Sequence, residues 1–103
     1  MFVYQDRYTV KEPVKVAVEG QPDAEFTAEF LVISAARYDE VSPHGDAGML
    51  REVWVGWDGV VDGDKRPVPF DVEKRDRLIG MPLFRNAAIA AFLRSTMGIR
   101  EKN

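Results

Sequence analysis

Apolar and polar positions alternate with a period of two in the first third of the chain and with a helical period beyond it. In Val14–Glu19, Val14, Val16 and Val18 fall on one side and Lys15 and Glu19 on the other, the pattern of a half-buried strand. In Glu25–Ile33, Phe26, Ala28, Phe30 and Val32 alternate with Glu25, Thr27, Glu29 and Leu31. Gly20-Gln21-Pro22-Asp23 between the two runs is turn chemistry, because Gly accepts positive φ and Pro presets its own. The expectation is an antiparallel hairpin with one aromatic-aliphatic face. Two strands alone are marginal in water, so that face needs a cover. Upstream, Val3–Val10 mixes aromatic and β-branched residues and reads as a first strand or an extended arm, with Pro13 bounding the strand that follows.

From Ser34 onward the signals are helical. Ser34 is placed to cap a short helix over Ala35–Val41, and Ser42-Pro43-His44-Gly45 stops it. Met49, Leu50, Val53, Trp54 and Trp57 then follow the i, i+3, i+4 spacing of one helical face, which predicts a helix from Ala47 to Trp57 capped by Asp46. Val53–Phe70, with its two tryptophans, Gly56, Gly59, the acidic turn Asp62-Gly63-Asp64, Pro67 and Pro69, reads as the hinge between a β-rich half and a helical half. Asp71 is placed to cap a helix over Val72–Ile79 that ends at Gly80. Pro82 suits a first helical position, Leu83–Met97 is the strongest helical pattern of the chain, and Gly98 follows it as a C′ residue. The predicted class is α+β: a small antiparallel sheet within 2–33, three or four packed helices within 34–98 and a basic tail over 99–103, all in one domain.

The last helix carries a wide apolar surface. Phe84, Ala88, Ala91, Phe92 and Ser95 form one stripe, Ile89, Leu93 and Met97 widen it, and alanines at 87, 88, 90 and 91 permit close backbone approach. Two expectations stand side by side. The helix is surrounded by this domain's own core, or part of its surface is covered by a partner or a second copy, because a small domain has little material with which to enclose a helix. The contact residues expected on the second view are Leu83, Phe84, Ile89, Phe92 and Leu93, with Arg100 and Lys102 of the basic tail. Trp54 and Trp57 are assigned to the core.

Composition adds class and charge. A chain of 103 residues with 46% hydrophobic and 30% charged residues is of ordinary globular make-up. It has no cysteine, which excludes disulfides and thiolate metal sites. No apolar run approaches the ~18 residues of a membrane span, and the opening MFVYQDRY lacks the pattern of a signal peptide, so the cytoplasm is the expected compartment. The net charge of −3 conceals an asymmetry: residues 1–64 hold five basic and thirteen acidic side chains, residues 65–103 nine basic and four acidic. Complementary surfaces within the fold, or between copies, account for this. Nucleic acid is a poor fit, since the basic residues are dispersed and no aromatic-rich basic strand accompanies them.

Candidate chemistry is sparse. His44, the single histidine, has Asp39, Glu40 and Asp46 nearby in sequence but no helix-spaced partner of metal-site type. An EF-hand register begun at Asp58 places Val60 and Pro69 where oxygen ligands belong, so Asp58–Asp64 is read as a tight turn whose Asp side chains accept backbone N–H groups. Phosphate-binding glycine loops and nucleophile elbows are absent from the sequence. Neither enzymatic activity nor a metal or cofactor is expected.

Leu50–Val60, with its Val55-Gly56-Trp57-Asp58-Gly59-Val60 core, then Asp62, Pro67-Val68-Pro69-Phe70, Met81-Pro82 and the alanine-rich helix resemble small tail assembly chaperones of long-tailed bacteriophages and prophages. Phe26-Thr27-Ala28-Glu29-Phe30 matches the F-x-A-x-F run of that family, and Arg100-Glu101-Lys102-Asn103 its basic end. The chain departs from the family in its Asp71 cap, in Lys74 and Arg75 at inner positions of the next helix, and in the Ser42–Gly45 interruption. The resemblance implies a non-enzymatic role in the bacterial host cell. Such a chaperone binds the tape-measure protein, recruits tail-tube subunits and commonly self-associates. A structural tail or head–tail adaptor subunit is the alternative; such subunits usually carry a larger sheet or a long ring-building loop.

Overall fold

The computed structural model describes residues 1–22 and 24–97. It is an α+β fold in which a three-stranded antiparallel sheet, in the order β1-β2-β3, is covered on one face by helices. Strands β1 (Thr9–Lys15) and β2 (Glu25–Leu31) form the expected hairpin, with Val10 opposite Phe30 and Val14 opposite Phe26. Helix α1 (Ala35–Val41), a 3₁₀ turn at Ser42–His44 and helix α2 (Gly45–Val53) follow. The chain then returns as β3 (Trp54–Asp58), antiparallel to β2, and ends in helices α3 (Val72–Ile79) and α4 (Pro82–Met97). Helix α4 packs chiefly on β1 and also touches β2, α2 and α3, while α1 rests on α2.

The core follows the alternation of the strands. Val14, Val16, Ala28 and Phe30 are buried on the inner face, against Met49, Leu50 and Val53 of α2, Ile79 of α3 and Ala88, Ala91 and Phe92 of α4. The Phe30 and Phe92 rings meet edge to face, 5.5 Å apart. Val32, assigned by its parity to the same face, lies just past the end of β2 and is exposed.

Two expectations are corrected. Strand β1 does not stop at Pro13; it runs through it, from Thr9 to Lys15. The hydrogen bonds Val32 N to Tyr8 O and Val16 N to Ala24 O place the even-numbered groups of β1 toward β2. Pro13 therefore faces the free edge, where its missing N–H breaks no ladder bond.

The second correction concerns α2, which ends at Val53 rather than Trp57 and takes its N-cap from His44 rather than Asp46, which lies in the first turn. Trp54–Asp58, expected as helix and hinge, is the third strand. The apolar spacing of that segment is compatible with both structures because the strand is bulged. Glu29 pairs with Gly56 and Phe30 with Trp54, leaving Val55 as the extra residue. The bulge keeps Trp54 and Trp57, three apart, on one side of the sheet, where a regular strand would separate them. Their rings meet 6.0 Å apart, Phe26 stacks on Trp54, and Phe70 packs edge-on against Trp57 at 5.0 Å.

One cationic side chain, to which the sequence reading assigned no partner, is buried. Arg75, on α3, is 7% exposed. Its Nη1 donates to the Trp54 carbonyl at 3.0 Å, and its Nε and Nη2 donate to Asp76 Oδ1. The helix signals themselves hold. Ser34 Oγ accepts from Arg37 N at 3.0 Å, and Asp71 Oδ1 accepts from Lys74 N at 2.7 Å. Between β3 and α3, Asp62 Oδ1 accepts from the backbone of Asp64 and Arg66, so the acidic segment is the expected turn.

Candidate functional site

The residues singled out on the last helix separate into three groups. Ala88, Ala91 and Phe92 face the sheet and are closed off; Phe92, expected as a contact residue, is 1% exposed and belongs to the core. Its position in the Phe84–Ala88–Ala91–Phe92 stripe points it at Phe30, and that stripe is the one α4 uses to pack. Phe84 and Ile89 are half-buried at the margin of the core. Leu83 and Leu93 lie on the outer side, 49% and 36% exposed, with Asn86 and Ala90 also exposed between them. At 1.5 Å per residue, Leu83 and Leu93 mark the ends of a strip about 15 Å long that is apolar except for Asn86. Arg100 and Lys102 lie outside the described residues.

Beside this strip runs a shallow hollow between α4 and the free edge of β1. It is lined by Glu12, Pro13, Lys15, Ala87, Ala90 and Arg94. Glu12 is 2% exposed, because continuing β1 through Pro13 turns position 12 inward beside Val14 and Val16. Arg94 reaches it from α4, with Nε 3.5 Å from Glu12 Oε2 and Nη2 donating to Pro13 O at 2.9 Å. These contacts fasten α4 to β1 across the domain.

Of two further features, the first was one of two alternatives in the sequence reading and the second was missed. The segment before β1 is an arm that presents Phe2, Val3 and Tyr4 outward. This is the extended-arm alternative for Val3–Val10, except that Thr9 and Val10 already belong to β1. The other is an apolar cleft of about 370 Å³ at the far end of the hairpin, between Val16, Phe26, Val60, Val61, Leu78 and Phe84. Gly59 shapes its wall, with φ of +83° where the chain leaves β3 and the Phe26 backbone close by. No sequence pattern announces a cleft built from four elements.

Two exposed ion pairs hold helices at the surface. Arg37 forms a two-pronged ion pair with Glu52, Nε to Oε2 at 2.8 Å and Nη2 to Oε1 at 2.9 Å, joining α1 to α2. This holds the Glu52 carboxyl below its ordinary range, through hydrogen bonding first. Asp71 is lowered likewise by the Lys74 ammonium and backbone. Among the described residues, no three His, Cys, Asp or Glu side chains are grouped to hold a metal ion, and His44 is exposed on the 3₁₀ turn. No described helix is long and apolar enough to cross a membrane. The arrangement can bury apolar side chains of another molecule.

Comparison with known proteins returned no matching family model, no matching curated protein and no matching solved structure.

Proposed function

We propose that this chain is a non-enzymatic assembly chaperone of the type its sequence resembles in long-tailed bacteriophages, and that it holds the helical, aggregation-prone tape-measure protein until tail-tube subunits assemble around it. The supporting observation is the outer face of α4, where Leu83 and Leu93 stand exposed at the two ends of a strip with Ala90 between them. A small residue between two leucines leaves a shallow saddle, and an amphipathic client helix can lay its apolar i, i+3, i+7 positions along such a strip. Because α4 is held to the sheet by Ala88, Ala91 and Phe92 and to β1 by Arg94, its outer face is presented on a rigid support.

Co-expression with a tape-measure fragment tests this. The wild-type chain should keep the fragment soluble and co-purify with it. The Leu83→Glu/Leu93→Glu double variant changes only exposed positions and should fold normally, yet lose at least tenfold of the recovered client. Undiminished recovery with that variant would remove α4 from the contact.

A further inference from the structure

Two apolar features are left open to solvent at opposite ends of the hairpin. Phe2, Val3 and Tyr4 of the arm are 77%, 73% and 85% exposed. The cleft walled by Val16, Phe26, Val60, Val61, Leu78 and Phe84 lies at the other end. We propose that the arm of one copy fills the cleft of a second copy and that the exchange is reciprocal, giving a two-fold dimer. This inference does not depend on the chaperone reading.

The position of the arm argues for exchange between copies. The arm is folded beside the start of β1, where Tyr8 Oη accepts from Gln5 N at 2.7 Å and donates to Val3 O at 3.0 Å, with the Phe2 ring 5.9 Å from the Tyr8 ring. That end of β1 pairs with Leu31, whereas the cleft lies at the Val16–Ala24 end. The two ends are about 23 Å apart at 3.3 Å per residue. To reach its own cleft, the arm would have to break both Tyr8 bonds and run back along β1 at nearly full extension.

The position of β1 supplies the symmetry. It is an edge strand, and a two-fold axis beside it and perpendicular to it sets two copies antiparallel and brings each arm to the other's cleft end. Direct β1–β1 pairing is obstructed at the same edge by Pro13, with exposed Lys11 and Lys15 on either side of it. The partner is therefore held by the arms rather than by a continued sheet.

Area and chemistry agree with two arms rather than one. An aromatic side chain buries about 150–250 Å². With Phe2 and Tyr4 of both arms and the cleft walls they cover counted, a reciprocal exchange covers on the order of 1,000 Å², the lower bound for a stable interface, and a single arm about half of that, below it. Gln21 and Glu25 at the cleft rim offer acceptors to the Tyr4 hydroxyl, the polar end of an otherwise apolar arm.

Light scattering over a concentration series, with circular dichroism to verify folding of each variant, tests the proposal. The wild-type mass should rise from 11.6 kDa toward twice that value. Phe2→Ala/Tyr4→Ala and Val61→Glu change exposed side chains on the arm and at the cleft, and each variant alone should stay at the monomer mass. Mixing the two restores one arm–cleft pair per dimer, so the mixture should recover dimer at higher concentration than wild type. A wild-type chain that is monomeric throughout, or an arm variant that dimerises like wild type, overturns the proposal. A monomeric wild type that loses thermal stability on Phe2→Ala/Tyr4→Ala would also overturn it, by placing the arm in its own cleft. The chaperone reading is scored separately, by client recovery with the α4 variant.

Discussion

Arg75 ties the second half of the chain to the first. A guanidinium is buried only when its donors are met, and here they reach the carbonyl of Trp54, at the junction of α2 and β3, and the carboxylate of Asp76. Arg75→Ala should cost about 2 kcal/mol, the range for a lost hydrogen bond between a charged donor and a buried acceptor. Lys should not rescue it, because an ammonium cannot reproduce the planar fork that serves two acceptors in different directions. Urea unfolding of the three proteins checks both statements, and Arg75→Lys at wild-type stability would reduce the role of Arg75 to simple charge. Phe92 illustrates the opposite case: its aromatic character says that it is buried, but only the ring of Phe30 shows what buries it.

At the scale of elements, the bulged strand β3 decides most. Gly59 ends it at φ +83°, a conformation that costs a residue with a Cβ about 1–2 kcal/mol. Gly59→Ala should therefore lower stability by about that amount, although the space around the site would accept a methyl group. A variant of unchanged melting temperature would mean that the turn relaxes out of the left-handed region. Gly56 has a different constraint. A Cβ there would lie 2.8 Å from Glu29 Oε1 and 3.3 Å from Glu29 Cβ, so Gly at 56 leaves room for the Glu29 carboxylate, whose other oxygen, Oε2, accepts from Thr9 Oγ1 on the opposite neighbouring strand.

At the scale of the whole molecule, surface charge links the elements and makes stability depend on pH. Glu52 and Asp71 are held below their ordinary values of 4.5 and 3.8 by Arg37 and Lys74 respectively. A carboxyl lowered by folding binds fewer protons in the folded state than in the unfolded one. Its contribution is thus complete at neutral pH and is lost as the pH falls through the unfolded and then the folded value. The melting temperature should be flat between pH 7 and about pH 5.5, one unit above the ordinary Glu value, and decline below pH 4.5. Both pairs are solvent-screened, so the decline should be small and weaken in high salt. Arg37→Ala should make it shallower by removing the Glu52 part. An identical acid profile in that variant would show that the pair contributes nothing to the slope. The excess of acid in the first half and of base in the second is met partly within the fold, by the pairing of Glu12 with Arg94.

The sequence by itself determined whatever depends on near neighbours. Ser34 and Asp71 cap the helices they were expected to cap, α3 spans Val72–Ile79 as read, Pro82 opens α4, and the alternation of Ala28 and Phe30 marks the inner face of the hairpin. Each is a local signal, resolved within one turn or one strand pair. Tertiary structure decided the rest. Trp54 and Trp57 satisfy a helical spacing and a bulged strand equally well, and only pairing with Glu29 and Phe30, more than twenty residues away, selects the strand. Pro13 reads as a boundary until β1 is known to be an edge, and no local pattern marks Glu12 and Arg75 as the charged side chains that α4 and β3 close over. The candidate site divides in the same way. The apolar width of the last helix is legible in its residues, but the division of that width into a buried Phe92 and an exposed Leu83 and Leu93 depends on the orientation the sheet imposes on α4. Period and caps are written along the chain, whereas facing and enclosure are properties of elements distant in sequence that meet only in the fold.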